Sequence, residues 1–362
     1  MPEERRGKVQ TVLGLIDPSE LGHTMMHEHI MQPGVPTITG STYLTEPEDP
    51  IGKEMFGAPV TLENLWWIRY NLRESRENNT AASAEEWLRE LELFKRSGGG
   101  TITELTMHGP KNLDHVVELS RASGINIVAG AGHFIDKAHK PEARIGERTV
   151  DEIAAELIDH ILVGNPETGA KAGLLGELGC SWPLTPNERK VLLAGAIAQR
   201  ETGVSISIHP GRNEAALGQI RDVLAEGGAD LTRVVMGHMD RCGYELETKR
   251  DVLDSGMTIE YDVFGMEGYY PAAAALADDH MPDMPNDTGR IKQIRELAEL
   301  GYSEQIVVGH DIHLKHQLAT YGGWGYGHYL RNVVPLMHIW ELSEETIRQL
   351  TIDNPARLLA IV

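Results

Sequence analysis

The stretch AGLLGELGCSWPLTPNERKVLLAGAIAQRETGVSISIHP (172–210) reads as a short apolar segment, a long helical pattern and a second short apolar segment. Both flanks have the length and composition of strands. The centre opens with Thr185, Pro186 and Glu188, which supply a cap, a proline at the first helical position and an acid in the first turn, and it ends at Gly203. Strand, helix and strand in that order predict two parallel strands joined by a crossover helix.

The same rhythm runs outward in both directions. Strand-like segments occur at GHTMMHEHI (22–30), TITELTM (101–107), INIVAGAG (125–132), AGLLGELG (172–179), VSISIHP (204–210), RVVMGHM (233–239), MTIEYDVFG (257–265) and QIVVGHDIH (305–313). Helical patterns ending near glycine fill the intervals, as in AEEWLRELELFKRSG (84–98), LDHVVELSRASG (113–124) and VDEIAAELIDHILVG (150–164). Eight strands alternating with helices predict an α/β fold, a (β/α)8 TIM barrel that takes residues 1–362 as one domain, with residues 1–21 as an N-terminal extension or hairpin. Two connections are too long for plain turns: residues 31–80 after strand one and 266–290 after strand seven. Both are expected on the face where barrel active sites form.

Bulk composition narrows the partners. With 33 basic against 54 acidic residues, the formal charge is −21, which argues against nucleic acid and anionic lipid. The two cysteines, Cys180 and Cys242, make no disulfide framework. No signal-peptide pattern and no membrane-length apolar run occur, so the expected compartment is the cytoplasm.

Chemistry-bearing residues gather at strand ends. In HEH, period two turns His27 and His29 to one face and Glu28 to the other. In VSISIHP, Ser205, Ser207 and His209 share the face opposite Val204, Ile206 and Ile208. His238 ends RVVMGHM, and Asp311 shares a face with Val307 and Gly309. Glu177 lies inside an otherwise apolar, glycine-rich strand, where an uncompensated carboxylate costs several kcal/mol and needs a cation. A lone HxH pair is as well explained by packed histidines. Four histidines and two carboxylates converging on one mouth predict a metal site.

The motifs TMMHEHI (24–30), VSISIHPGR (204–212), VVMGHMDR (234–241), VVGHDIH (307–313) and IDNPARLL (352–359) resemble the phosphotriesterase family of the amidohydrolase superfamily. GLLGELGCSWPLT (173–185), IEYDVFG (259–265), HDIHLKH (310–316) and YGGWGYGHYLRNVVP (321–335) are similar to its phosphotriesterase-related branch, whose bacterial members include proteins labelled resiniferatoxin-binding. In that branch a glutamate replaces the carboxylated lysine on strand four, and Glu177 stands at that place. The resemblance implies two divalent metal ions, zinc first, with manganese or cobalt as alternatives. It places His27, His29 and Asp311 on the more buried ion and His209 and His238 on the more exposed one, with Glu177 and a hydroxide bridging. Asp311 would act as the proton acceptor.

Around this set, Asp240 is the second catalytic candidate, one position earlier than the family's proton-shuttling acid. Arg212, Tyr261, Lys315, His133, Arg241 and His313 are the expected substrate contacts, with Arg212 and Lys315 suited to a second anion. Arg69, Asn71 and Arg73 are lid candidates. His108, His139, His160, His280 and His338 are read as incidental. The expected activity is hydrolysis of a small carboxylic ester, a lactone (phosphorylated sugar lactones included) or an amide. Phosphotriester or aryl-ester hydrolysis and non-catalytic binding of a resiniferatoxin-type ligand are the alternatives. The expected partners are a small-molecule substrate and, by resemblance, a second copy of the chain, contacted through Trp66, Trp67 and the long loops.

Overall fold

The computed structural model describes residues 3–107, 109, 112–139, 141–267 and 284–362. Eight parallel strands follow one another around a barrel: β3 (His23–Glu28), β4 (Gly99–Glu104), β5 (Asn126–Ala131), β6 (Leu174–Gly179), β7 (Ile206–His209), β8 (Val234–Met236), β9 (Thr258–Tyr261) and β10 (Ile306–Val308). The last strand meets the first just beyond its end. There the amides of His310 and Asp311 donate to the His27 carbonyl at 3.3 and 3.1 Å, and the His29 amide donates to Ile312 at 3.2 Å. This is the (β/α)8 barrel that the sequence predicts.

Alternation along the strands builds two apolar layers. Met25, Ile102, Ile127, Leu175, Ile206, Ile208, Val234, Met236, Ile259, Ile306 and Val308 pack outward against the helices. Their neighbours Met26, Val128, Leu174, Val235 and Val307 fill the inside of the barrel. The helices Ala84–Arg96, Asp114–Ser123, Val150–Leu162, Pro186–Thr202, Glu214–Glu226, Leu246–Asp254 and Asp287–Glu299 make the crossovers. Three of them start with reciprocal caps, Ser83 with Glu86, Thr149 with Glu152 and Thr185 with Glu188. No helix among the described residues is long and apolar enough to cross a membrane.

The N-terminal strands β1 (Val9–Thr11) and β2 (Gly14–Ile16) pair antiparallel, and the Val12 amide donates to Ile127 at 2.9 Å. The hairpin thus closes the N-terminal end of the barrel, beside Leu358 and Leu359 of the final helix.

The connection 31–80 is folded, with helices at Ile38–Tyr43, Pro50–Met55 and Leu65–Ile68 and a small core of Val60, Leu65, Trp67 and Ile68. Its two ends are stitched together by Thr37 to Asn79 and by Ala81 to Val35, both at 2.8 Å. Trp67 is buried in that core, whereas Trp66 is exposed. Of the second long connection, residues 268–283 lie outside the described residues, as do His108 and His280.

Candidate metal centre

Each expected ligand emerges at the C-terminal mouth of the barrel. His27 lies on β3, with His29 just beyond it, Glu177 lies on β6 and His209 ends β7. His238 and Asp311 do not lie on strands as the sequence suggests. They occupy the turns after β8 and β10 with left-handed φ of 56° and 51°, an arrangement costing about 1–2 kcal/mol at a non-glycine residue. The preceding glycine is required after β10. A Cβ on Gly309 would lie 2.8–2.9 Å from the β-carbon and backbone of His27.

Glu177 sits at the middle of the cluster. Its Oε2 is 3.0 Å from His209 Nδ1, 3.4 Å from His27 Nε2 and 3.5 Å from His238 Nε2, while Oε1 is 3.9 Å from His29 Nε2. Asp311 Oδ1 lies 3.0 Å from His29 Nε2 and 3.8 Å from His27 Nε2. Two donors on one tetrahedral zinc, each about 2.05 Å from it, are themselves roughly 3.3 Å apart, so these spacings suit shared ions. Glu177 belongs to two such sets, one with His27 and His29 and one with His209 and His238. The His27 Nε2 atom is buried and makes no hydrogen bond, which leaves its lone pair for a cation.

Two carboxylates outside the expected set orient the imidazoles. Asp262 Oδ1 lies 2.7 Å from His238 Nδ1, and its Oδ2 accepts the His238 amide at 2.7 Å and stands 3.2 Å from His27 Nδ1. Glu260 Oε2 is 3.4 Å from the same His27 nitrogen. Because a carboxylate only accepts, these contacts put the ring proton of His238 on Nδ1 and leave Nε2 facing Glu177.

Burial lowers the His209 pKa to about 3, so its ring is neutral and suited to ligation. Burial also opposes charge on His27, yet Asp262 and Glu177 raise it well above the ordinary value. Hydrogen bonds from His209 and His238 and the charge on His27 hold Glu177 far below the carboxylate range, against its own desolvation. Burial, with the neighbouring Asp262 charge adding to it, pushes Glu260 up to about 7 against the pull of His27 and His238.

The remaining expected residues divide. His313 stands beside the cluster, its Nδ1 2.7 Å from the Asp311 carbonyl and 3.4 Å from Oδ1. Arg241 is buried close enough for its charge to oppose protonation of both His209 and His238, although Asp262 and Glu177 outweigh burial and Arg241 at His238 and carry it up to about 9. Arg212 is half-buried near Cys242 and Tyr244. Asp240 is buried, and its Oδ2 takes Arg290 Nε at 2.9 Å and the Val263 amide at 3.2 Å. Arg290 also binds Asp287 and the Met266 carbonyl, so Asp240 anchors both roots of the second long connection. Lys315 is paired with Glu77 at 3.2 Å and fastens the 31–80 connection to the loop after β10.

Tyr261 requires correction. It is fully buried in the outer apolar layer, with its hydroxyl 3.2 Å from Gln293 on the helix Asp287–Glu299, so it faces away from the mouth. Period two along IEYD turns Glu260 and Asp262 inward and Tyr261 outward, and that signal would have found both acids.

A cavity of about 1100 Å³ opens next to the cluster, lined among others by Thr106, His133, Phe134, Lys137, Arg148 and Glu156. It adjoins the ligands through two of its lining residues. Thr106 Oγ1 is 3.3 Å from His29 Nδ1, and the Phe134 ring meets His209 edge-on at 4.6 Å. His139 and His160, read as incidental from sequence, also line it.

Comparison with known proteins agrees with this geometry. A relative from Mus musculus described as an N-acetyltaurine hydrolase is 40% identical over 98% of both chains. One of the same description from Dictyostelium discoideum is 39% identical over 99% of both. The crystal structure of a resiniferatoxin-binding protein from Rhodobacter sphaeroides superposes with a TM-score of 0.88 at 28% identity, over 98% of this chain and 95% of that one. Residues 7–359 match the model of the phosphotriesterase family, and with the ligand-like cluster at the barrel mouth the chain belongs to that family of metal-dependent hydrolases.

Proposed function

We propose that the protein is a binuclear metal-dependent amidase acting on N-acetyltaurine or a closely related N-acyl amide that carries an anion. The observation that carries this reading is the position of Glu177, one carboxylate within reach of two separate pairs of imidazoles. The full-length similarity to N-acetyltaurine hydrolases favours an amide over the lactones and phosphotriesters that the same donor set could serve. A pure binding protein has no use for six converging donors.

His27, His29 and Asp311 would hold one cation and His209 and His238 the other, with Glu177 between them. The nitrogen-rich donor set suits zinc. Such a pair supplies an activated water and a Lewis acid for the carbonyl. The chain's own groups do the rest. Asp262 and Glu260 fix the imidazoles, and Asp311 is the carboxylate placed to take a proton and deliver it to the departing amine. Asp240, bound to Arg290, is assigned to the loop roots and not to proton transfer.

The cavity beside the cluster receives the rest of the substrate. His133 lies in its wall, and so does Lys137, whose ammonium stands 4.8 Å over the Tyr43 ring and suits a sulfonate or carboxylate. Arg241 and Arg212 add positive charge on the His209 side.

The test is turnover of N-acetyltaurine, a γ-lactone and a paraoxon-type triester by zinc-reconstituted protein, before and after chelation. N-acetyltaurine should show the highest kcat/KM, lost with chelator and restored by metal. A faster lactone or triester, or turnover indifferent to chelation, overturns the assignment.

A further inference from the structure

The middle residue of HEH points away from the metal ligands on either side of it, yet it is bound to the two neighbours of a third, Asp311. Glu28 is completely buried. Its Oε1 accepts the His310 amide at 3.0 Å and lies 2.5 Å from His310 Nδ1, and its Oε2 accepts the Ile312 amide at 3.2 Å. The Tyr329 amide donates to His310 Nε2 at 3.1 Å. That contact makes Nε2 the acceptor, so the ring proton sits on Nδ1 and is donated to Glu28.

One carboxylate therefore grips the residues on both sides of Asp311. This matters because the Asp311 backbone is left-handed, at φ 51°, a conformation that persists in a non-glycine residue only when its surroundings impose it. The backbone bonds from His310 and Asp311 to His27 begin the turn, and Glu28 completes it. His27 and His29 approach the cluster from the other face of the same three residues. The spacing of HEH thus ties two imidazoles and one distant carboxylate to a single rigid piece of chain.

We infer that Glu28 is a positioning residue: it sets the direction in which Asp311 presents its carboxylate to the metal centre and to the proton it transfers. The inference rests on the metal-dependent reading above but not on which bond is cleaved. Replacing a group that orients a metal ligand costs roughly 10–100-fold in affinity or activity.

The experiment compares Glu28→Gln with Glu188→Gln. Glu188 is an equally buried carboxylate that accepts from Ser181, Thr185 and Asp136 and lies outside the cluster. Both variants should lower Tm. Only Glu28→Gln should change the visible spectrum of the cobalt-loaded protein and weaken binding of one cobalt equivalent, roughly 10-fold or more. It should also lower kcat on whichever substrate is turned over while leaving KM within a few-fold. The cobalt readout needs no substrate, so a wrong substrate assignment leaves it interpretable. If Glu28→Gln does not fold, His310→Leu removes the same side-chain bond and is read in the same way. A cobalt spectrum and stoichiometry unchanged in the folded variant, or changed equally in Glu188→Gln, overturns the inference.

Discussion

The two ends of the barrel are built by the same alternation of side chains and filled with opposite materials. At the N-terminal end, Val9, Leu21, Leu358 and Leu359 close over Leu174, Val235 and Val307. At the C-terminal end the inward positions carry His27, Glu177, His209, Glu260 and Asp262, also largely buried but charged or ligating. Apolar burial at the first end is a direct source of stability, at about 25 cal/mol per Å². Burial at the second end opposes folding unless the charges compensate one another or a cation joins them. The contrast teaches that one scaffold can keep its stability and its reactivity at separate ends.

The largest effect that can break this contrast is expected at Glu177. Glu177→Gln keeps the shape and removes the charge shared by the two imidazole pairs. Metal centres supply several kcal/mol to the transition state, so kcat/KM should fall on the order of 10³-fold. Metal content measured by atomic emission should fall with it. Full metal content and activity in the variant would remove Glu177 from the centre.

An intermediate effect is expected at the opposite end. Leu358 is fully buried in the barrel plug, and its carbonyl accepts Arg233 Nη2 at 2.8 Å. Leu358→Ala should cost about 3 kcal/mol of stability by urea unfolding, with kcat and metal content at the level of the parent under folded conditions. A loss of kcat without a loss of stability would mean that the two ends are not separable.

Sequence alone made the strand parity legible, and with it the barrel, because a two-residue period survives without knowledge of partners. His27, His29, Glu177 and His209 lie on or against strands and were readable in that way. His238 and Asp311 were readable by residue type, but their left-handed turns were not, since strands β8 and β10 stop after three residues. Tyr261 was misplaced because the two-residue parity of its strand, which turns it outward, was not applied to it. The Lys315–Glu77 and Glu28–His310 pairs join residues 238 and 282 positions apart, and no local pattern announces such contacts. The cavity was equally hidden, because its walls come from the loops after β3, β4 and β5 together.

The smallest effect sharpens the comparison at a carboxylate near the mouth that belongs to no ligand set. Glu156, on the helix Val150–Leu162, faces His133 at 3.5 Å and is paired with Arg148. Burial raises its pKa, but His133 and Arg148 outweigh that and hold it at about 2 against an ordinary 4.5. A carboxyl whose folded pKa is depressed contributes stability above its unfolded pKa and loses it as pH falls towards the folded value. The contribution should be complete above pH 4.5 and disappear progressively towards pH 2. Because the side chain is 30% exposed, solvent screening reduces it to about 1 kcal/mol. Urea midpoints at pH 6, 4 and 3 should therefore fall more steeply for the parent than for Glu156→Gln, with the two curves converging at the acidic end. The same variant should keep its metal, because Glu156 reaches the cavity wall and not the cluster. Parallel curves would show that the pair contributes nothing to folding. Lost metal would extend the charged end of the barrel outward to this helix.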